Sequence, residues 1–357
     1  MVRTPSVAFI VDDLGHGGAQ KQLVMLASAL RPHVDVRVYV LSSIENPHGP
    51  ALQGRGIPVT VLQRRSGFDV ARWHALTRAL AADGVDIVHG FLDASNVYAY
   101  VSARRLRKPA VLSLQSDRLR LTGVRGRVLR WMLRRTEAVV VNSMAGRDYL
   151  IESVGVARAR VHVVRNIAEV HEVAVTANPP IVGCVGRLVA IKRFDLAVSA
   201  LPLVRAAVPG ARLEIVGDGP LDHDLRALCE RLHLGDTVTF TGAVDDATPH
   251  IARMSCLVLP STFEGLPNAV LEALACGVPV VACAVGDVAS IVVDGSTGVV
   301  VPDASPASIA AGIVRALTDS ELRERARVEG PRAIRERFSP DEPVAVLRSL
   351  YQSLLDK

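Results

Sequence analysis

Strand-length apolar runs alternate with helix-like stretches along this chain, and they do so in two successive series. In the first half the runs occupy 6–12, 34–41, 86–91, 110–114, 138–143 and 160–164. The second half repeats the rhythm at 181–186, 212–217, 237–242, 255–260, 278–283 and 297–302. Short β-rich runs separated by helices are typical of parallel sheets that helices cover on both faces. The pattern predicts an α/β protein with two Rossmann-like, doubly wound domains that face each other across a cleft.

The periodicity lapses between residues 168 and 180, where a pair of prolines precedes a new strand. We therefore predict an N-terminal domain over 1–170, a second domain over 178–335, and a C-terminal helix over 336–357 that crosses back to the first domain. Ligands of doubly wound sheets bind at the carboxyl ends of the strands. The chemistry is therefore expected in the cleft between the two domains.

Composition excludes several classes of protein. The chain is 49% hydrophobic and 22% charged, which is unlike a disordered, collagen-like or small disulfide-rich protein. No apolar stretch reaches the roughly 18 residues of a membrane-spanning helix, and the first apolar run stops at Asp12, unlike a signal peptide. The five cysteines show no CxxC spacing, which predicts reduced core thiols and no metal site. We expect a cytoplasmic protein, which could still bind the inner face of the cell membrane peripherally.

Charge divides the chain unevenly. Residues 1–172 hold 24 Lys and Arg against 14 Asp and Glu, whereas residues 173–357 hold 17 against 22. A basic half joined to an acidic half indicates two domains with different partners.

A glycine-rich turn, GHGGAQ at 15–20, follows the first strand. It does not fit the dinucleotide-binding fingerprint, because Gln20 stands where glycine is needed and the second strand lacks the acid that would hold a ribose. Amides that open a helix can nevertheless hold an anion. Gly17 and Gly18 are therefore candidate phosphate contacts, and the alternative is a tight turn without a ligand.

Arginine and lysine stand together where the second domain begins. Its first strand ends at Gly186, Arg187 follows, and Lys192 comes five residues later. An arginine fork and a lysine point charge at a strand end suit a diphosphate. Solvated surface charges are the alternative explanation.

The most specific segment runs from Pro260 to Gly277. A strand ends at Pro260, Pro267 suits the first turn of a helix, and Gly277 suits its C-terminal cap. The helix amides would form an anion site with Glu264 on one side and Glu272 on the other. A carboxylate there is favourable only if it accepts hydrogen bonds from neutral hydroxyls. The ligand that fits is a diphosphate with hydroxyls on both sides, such as a nucleotide sugar.

Glu264 and Glu272 form an E-x7-E pattern, and EGLPNAVLEALACGVPVVA (264–282) resembles the retaining glycosyltransferases of family 4, which have the GT-B fold. GGAQ, GRLVAIK, EIVGDGP, FTGAV and DGSTGVVVP follow in the expected order, so the resemblance covers nearly the whole chain. It implies sugar transfer with retention and without a metal or cofactor. The donor would be a nucleotide-diphosphate sugar, and the acceptor a glycan, a glycolipid or a small hydroxylated molecule.

The resemblance also implies roles for individual residues. Glu264, Arg187 and Lys192 would be catalytic. The donor would contact Gly17, Gly18, Arg187, Lys192, Val244, Glu264, Gly265, Leu266, Pro267, Asn268 and Glu272. Among these, Arg187 and Lys192 would hold the diphosphate, Glu272 the ribose and Val244 the base. The leaving phosphate oxygen would accept the acceptor's proton.

Two positions depart from the family pattern. Gln115 stands where many relatives have a histidine that reaches the sugar, and Ile167 follows Asn166 where the family has glycine. Candidate acceptor-binding residues are His16, His89, Gln115 and Asn166, although a structural role is an open alternative for both histidines. Because glutamine takes no proton at neutral pH, a weak or inactive GT-B partner subunit is a second hypothesis. Another GT-B sugar enzyme is a third.

Asp222 and Asp224 form an Asp-x-Asp pair, but they stand in a helix-like stretch and not at a strand end. We interpret them as a solvated first helical turn, where acids favour the helix dipole. Asp218 is predicted to make a turn.

A basic stretch extends from Arg104 to Arg135, with 11 cations in 32 residues and Asp117 as its single acid. Apolar residues interleave with the cations in GRVLRWMLRR, as in an interfacial amphipathic helix. We predict that this patch meets an anionic membrane surface or acceptor. A solvated face with Trp131 in the core is the alternative, and nucleic acid is disfavoured because no binding module surrounds the patch. The predicted patch consists of Arg118, Arg120, Arg125, Arg127, Arg130, Trp131, Arg134 and Arg135.

Overall fold

The computed structural model describes residues 4–62, 69–115, 123–171 and 179–356 of the chain. The chain divides into two compact units. Unit 1 comprises Met1–Ile167 together with Pro340–Lys357, and unit 2 comprises Ala168–Ser339. Within the described ranges, no helix is both long and apolar enough to span a membrane.

Unit 1 is built on a parallel sheet. Its described strands are β1 (Ser6–Val11), β2 (Asp35–Val40), β3 (Val59–Val61), β4 (Ile87–Phe91), β5 (Ala110–Leu114), β6 (Ala138–Val141) and β7 (Val161–Val163). They are hydrogen-bonded in the order β3-β2-β1-β4-β5-β6-β7. The accompanying helices are α1 (Gly18–Leu30), α2 (His48–Gly54), α3 (Val70–Ala82), α4 (Asp93–Leu106), α5 (Gly123–Leu133) and α6 (Met144–Tyr149).

Unit 2 is built in the same way. Its described strands are β8 (Ile181–Val185), β9 (Arg212–Val216), β10 (Val238–Gly242), β11 (Cys256–Leu259), β12 (Val280–Cys283) and β13 (Gly298–Val301), in the order β10-β9-β8-β11-β12-β13. Its helices are α7 (Phe194–Ala207), α8 (Asp222–Arg231), α9 (Thr248–Ala252), α10 (Asn268–Ala275), α11 (Val288–Ile291), α12 (Pro306–Thr318) and α13 (Ser320–Arg337). The last helix of the chain, α14 (Asp341–Leu355), belongs to unit 1.

Each sheet is covered on both faces, as the two predicted Rossmann-like series require. In unit 1 one apolar cluster gathers around Phe9 and Phe91 and a second around Ile10 and Tyr39. Phe9 and Ile10 are neighbours on β1, so their side chains point to opposite faces of the sheet. Two α/β units with parallel sheets confirm the predicted fold class. The five cysteines are all buried and none forms a disulfide, as expected of core thiols.

His89 belongs to the core of unit 1, where it joins β4 to α14. The ring is completely buried. Its Nδ1 lies 2.7 Å from the Tyr351 hydroxyl on α14, and its Nε2 lies 2.6 Å from Ser113 Oγ on β5. Burial lowers the pKa of His89 to about 3, so the ring stays neutral in the folded protein. The prediction that His89 contacts an acceptor is therefore wrong, because both ring nitrogens are used within the core.

We expect the stability of the protein to fall as the pH drops below 6.5, the ordinary pKa of histidine. Between that pH and the folded-state pKa of about 3, the unfolded chain binds a proton at His89 and the folded chain does not. The free energy of unfolding should therefore decline by up to about 1.4 kcal/mol per pH unit. Urea unfolding between about pH 7 and about pH 5 measures this slope.

The variant His89→Gln should reduce the slope of the unfolding free energy against pH, because the contribution of His89 is lost. The variant His33→Gln, at an exposed position, should leave this slope unchanged. Burial also lowers the pKa of His162, so part of the slope remains in both variants. Equal slopes in the two variants would contradict the assignment.

Candidate functional site

Two loops at the carboxyl edge of the unit 2 sheet are hydrogen-bonded to each other. One follows β8 and contains residues 186–193, and the other follows β11 and contains residues 260–267. β8 and β11 are neighbours in the sheet, which places their ends side by side. Thr262 N donates to Ile191 O at 2.9 Å, and Asp287 N donates to Gly265 O at 3.1 Å. The loop that carries Glu264 is thus held from two sides.

Glu264 is the centre of this arrangement. Its side chain is buried, and one oxygen, Oε1, accepts two hydrogen bonds. Lys192 Nζ donates at 2.7 Å and Ser261 Oγ at 2.6 Å. A buried carboxylate is stable only when it is paired and hydrogen-bonded. The ammonium of Lys192 compensates the charge, and the two bonds to Oε1 set the orientation of the carboxylate.

Ser261 is a residue that sequence reasoning missed. It is completely buried at the end of β11, and its hydroxyl reaches the same oxygen as Lys192. A serine three residues before a glutamate carries no signal of its own in a sequence. Only the folded loop, which turns back on itself between the two positions, brings these side chains together.

On the catalytic role predicted for Glu264, replacing Ser261 with alanine should lower turnover about tenfold and change the KM for the predicted donor little. One buried hydrogen bond to a charged group contributes about 1.5–3 kcal/mol, and without it Glu264 loses one of the two groups that orient it. Kinetics of donor consumption measure the effect. Ser261→Thr, which keeps the hydroxyl, should restore most of the turnover. The neighbouring Thr262→Ala, whose hydroxyl bonds Ile191 O at 3.4 Å, is the matched control and should have little effect.

Helix α10 starts directly after this loop. Pro267 is its N-cap residue and makes no side-chain capping hydrogen bond, and its first turn contains no acid. The helix N-terminus therefore presents amides and a partial positive charge at the loop. At the other end Gly277 adopts a left-handed conformation with φ +68, and its N–H bonds Leu274 O at 2.9 Å. Gly277 thus acts as the predicted C-terminal cap.

The remaining predicted donor residues of unit 2 lie at the same edge of the sheet. Arg187 is exposed two residues after the end of β8. Glu272 is half-buried in the second turn of α10. Val244 is half-buried after β10 and packs against the core cluster that contains Leu266. Gly265, Leu266, Pro267 and Asn268 form the entry to α10.

The close approach of β8 and β9 at this edge depends on glycine. Gly217, with φ +132, follows β9, and a Cβ at this position would lie 2.1 Å from Gly186 O. Leu188 N donates to Asp218 O at 2.9 Å, which ties the turn after β8 to the turn after β9. Only a residue without a side chain fits between these backbones.

The predicted residues of unit 1 lie at the carboxyl edge of the other sheet. Gly17 is the N-cap residue of α1, and Gly18 is the first residue of the helix. Asp13 braces this turn, because its Oδ1 accepts from Gly15 N at 2.9 Å and from Gln20 Nε2 at 3.0 Å. His16 is exposed on the turn. The roles predicted for these residues in ligand binding remain predictions.

Gln115 and Asn166 differ in their surroundings. Gln115 is half-buried immediately after β5, at the carboxyl edge of the sheet, and its role in acceptor binding remains a prediction. Asn166 is buried near the end of unit 1. The adjacent Ile167 donates its N–H to Gln22 Oε1 at 2.7 Å and accepts from Gln22 Nε2 at 2.8 Å, which anchors this segment to α1.

The Asp-x-Asp pair is part of a solvated helix start, as predicted. Asp222 and Asp224 stand in the first turn of α8, and Asp222 Oδ2 accepts from Arg226 Nε at 2.7 Å. Asp218 makes a turn in which its Oδ1 accepts from Gly219 N at 2.6 Å. In the part of the chain that the structure describes, no group of three or more His, Cys, Asp or Glu side chains could hold a metal ion.

Part of the predicted basic patch lies within the described residues. Arg118 and Arg120 lie outside the described residues, as does the side chain of Arg125. Arg127, Arg130, Arg134 and Arg135 lie on or directly after α5. Trp131 is 48% exposed, so the alternative that placed it in the core is wrong.

Comparison with known families gives a consistent result for both units. Residues 16–171 match the family described as Glycosyltransferase Family 4, and residues 179–319 match the family described as Glycosyl transferases group 1.

Individual relatives were also found. One is the GDP-mannose-dependent alpha-(1-6)-phosphatidylinositol monomannoside mannosyltransferase of Mycobacterium tuberculosis, 38% identical over 151 residues, which are 40% of this chain and 39% of that protein. Another is the alpha-D-kanosaminyltransferase of Streptomyces kanamyceticus, 30% identical over 268 residues, which are 67% of this chain and 69% of that protein. The chain thus spans about two fifths of the length of the mannosyltransferase that it matches.

Solved structures share the fold over nearly the full chain. HepE of Anabaena, solved with UDP and glucose, has a TM-score of 0.83 at 20% identity, covering 97% of this chain and 99% of its own. Sucrose-phosphate synthase of Thermosynechococcus elongatus has a TM-score of 0.78 at 21% identity, covering 99% of both chains. Together with the family matches, these findings confirm the predicted fold and family, and the chain belongs to the family 4 glycosyltransferases with the GT-B fold.

Proposed function

We propose that this chain is a retaining, metal-independent hexosyltransferase. In this proposal unit 2 binds a nucleotide-diphosphate sugar, and a hydroxyl group of a glycan, a glycolipid or a small molecule accepts the sugar. The observation that carries the proposal is the buried Glu264, which Lys192 and Ser261 hold in the loop that leads into the N-terminus of α10. The enzyme would act in the cytoplasm.

The groups at this edge suit a departing diphosphate. The bond between the anomeric carbon and the β-phosphate oxygen breaks, and its electron pair stays on the phosphate. Arg187, Lys192 and the α10 amides can stabilise this charge, since preorganised donors are most effective where charge develops. Lys192 has three N–H donors, so it can keep its bond to Glu264 while it contacts a phosphate. No metal ion is needed for this neutralisation.

The acceptor hydroxyl then forms the new bond on the same face of the sugar. Its proton passes to the phosphate oxygen that has just left, so no protein base is required. This step suits a chain with Gln115 in place of the family histidine, because a glutamine amide can hydrogen-bond the sugar without exchanging a proton. Glu264 would accept hydrogen bonds from the transferred sugar, and Glu272 from the ribose.

The relatives differ in the base and the sugar of their donors. The mannosyltransferase relative is named for GDP-mannose, whereas the HepE structure contains UDP and glucose. A thermal-shift panel of UDP, GDP, ADP and TDP sugars, with and without EDTA, tests the donor site. Ligand that binds the folded state raises the melting temperature by mass action. We expect one base to raise it, and the shift to survive EDTA and to diminish in Glu272→Ala.

Gln115 favours a second candidate function, a GT-B partner subunit without turnover. Donor consumption by the chain that binds the nucleotide distinguishes the two functions. A shift followed by turnover supports the transferase, and a shift without turnover with any acceptor supports the partner subunit. If no nucleotide sugar shifts the melting temperature, the donor site in unit 2 is wrong.

A further inference from the structure

Helix α5 exposes apolar residues on one side. Val124, Val128 and Trp131 follow one another at helical spacing and therefore lie on one side of the helix. Their exposed fractions are 66%, 46% and 48%. Met132, at the border of this side, and Leu133, on the opposite side, are buried in the core of unit 1. The helix is thus anchored by one apolar face, while the described residues leave a second one open.

Arginine side chains surround this second face. Arg127 is exposed and Arg130 half-buried on α5. Directly after the helix, Arg135 places its guanidinium carbon 4.7 Å from the centre of the Trp131 ring. Arg134 is also exposed there, and its Nε donates to Val154 O at 2.6 Å. We call Val124, Val128 and Trp131 with these four arginines the basic surface.

Side chains of the neighbouring helix α4 hold Trp131 in place. The Trp131 ring packs edge-on against Tyr100 of α4, with 5.8 Å between the ring centroids. Arg104 of α4 lies with its guanidinium carbon 5.0 Å from the Tyr100 ring and forms an ion pair with Glu137 at 2.9 Å. These contacts order the tryptophan at the surface without covering it.

We propose that the basic surface docks on an anionic lipid bilayer, with Trp131 and the two valines inserted at the level of the headgroups. Cations around an apolar face that contains tryptophan are characteristic of helices that lie in the membrane interface. Acidic lipids complement the arginines, and each cation near such a surface strengthens binding about fivefold.

The position of α5 gives this docking a consequence for the reaction. β5 and β6 are parallel neighbours, so the helix between them runs back across the sheet and begins at the carboxyl edge. Ligands of doubly wound sheets bind at this edge. The bilayer would therefore lie beside the acceptor end of unit 1, which selects a membrane-anchored hydroxyl acceptor. This last step rests on the proposed transferase function, whereas the docking itself does not.

The fluorescence of Trp131 tests the docking in the absence of donor and acceptor. The chain has two tryptophans, so the full-length Trp73→Phe variant leaves Trp131 as the single reporter. We expect vesicles with phosphatidylglycerol to shift its emission to the blue, and brominated acyl chains to quench it. Phosphatidylcholine vesicles should bind weakly, and salt should weaken binding to the anionic vesicles.

Matched variants identify the surface. Arg127→Gln with Arg130→Gln should weaken partitioning into the anionic vesicles about 25-fold. Arg78→Gln with Arg348→Gln removes the same charge from exposed positions on α3 and α14 of unit 1 and should have a much smaller effect. Val128→Ser should abolish the bromine quenching, and Val328→Ser, at a position of similar exposure on α13, should preserve it.

Several results would overturn the proposal. One is that the protein does not bind phosphatidylglycerol vesicles. Another is that the two double arginine variants lose vesicle binding equally. A third is that the protein binds the vesicles but brominated acyl chains do not quench Trp131. A dimer in sedimentation equilibrium that Val128→Ser disrupts, without vesicle binding, would assign the surface to a second copy of the chain. Because no sugar is transferred in these measurements, failure of the transferase proposal leaves their outcome unchanged.

Discussion

Replacing Glu264 with glutamine should reduce kcat about 100-fold, with a smaller change in the KM for the donor. Glutamine has the size of glutamate and keeps an oxygen that Lys192 and Ser261 can reach. It loses the negative charge, so the largely buried ammonium of Lys192 has no counter-ion, and the transferred sugar loses a charged acceptor. Hydrogen bonds to charged groups contribute about 1.5–3 kcal/mol each, and each 1.36 kcal/mol corresponds to about tenfold in rate.

A second buried glutamate provides the control. Glu214, in the middle of β9, accepts from His250 Nδ1 at 2.7 Å and from Arg253. Glu214→Gln also neutralises a buried carboxylate with basic partners, but away from the carboxyl edge of the sheet. We expect both variants to lose thermal stability and only Glu264→Gln to lose turnover. Equal kinetic effects in two folded variants would contradict the assignment of Glu264 to the reaction.

Replacing Gly286 with alanine should lower the free energy of unfolding by about 4 kcal/mol and displace the loop that carries Glu264. Gly286 has φ +52, and a Cβ there would lie 1.8 Å from Glu264 O and 3.1 Å from Gly265 O. These are backbone atoms, which cannot rotate away as a flexible side chain can. Denaturant unfolding followed by circular dichroism measures the loss, and kinetics should show reduced turnover in the protein that remains folded.

The variant Gly235→Ala distinguishes the two causes of the destabilisation expected for Gly286→Ala, which are backbone strain and the contact with the Glu264 loop. Its φ of +46 is nearly the same, but a Cβ there would meet no atom within 4 Å. Gly235→Ala should therefore cost about 1–2 kcal/mol, from the left-handed backbone alone. If Gly286→Ala is no more destabilising than Gly235→Ala, the contact with the Glu264 loop does not hold this segment in place.

Much of the fold was predictable because its signals are local. Apolar runs and helical periods depend on residues close together in the chain, and they placed most of the strands in both sheets. Strand β3 (Val59–Val61) was missed, because three half-buried residues are too few to show a pattern. The segment around Glu264 and Glu272 was recognisable for the same reason, since a loop, a helix start and a glycine cap occur together within a short stretch.

Other features depend on residues that are far apart in the sequence. Nothing near His89 indicates that Tyr351, 262 positions later, would occupy one of its ring nitrogens and bury it. Likewise, Lys192 and Glu264 are 72 positions apart in the sequence, and their side chains meet only because β8 and β11 are neighbours in the sheet. Ser261 acquires its role in the same arrangement. The alternation of apolar and basic residues in α5 predicted an amphipathic helix, but it did not predict which of the apolar residues would be buried. Met132 and Leu133 are buried and Trp131 is exposed, because the packing of unit 1 around the helix decides which side chains are buried.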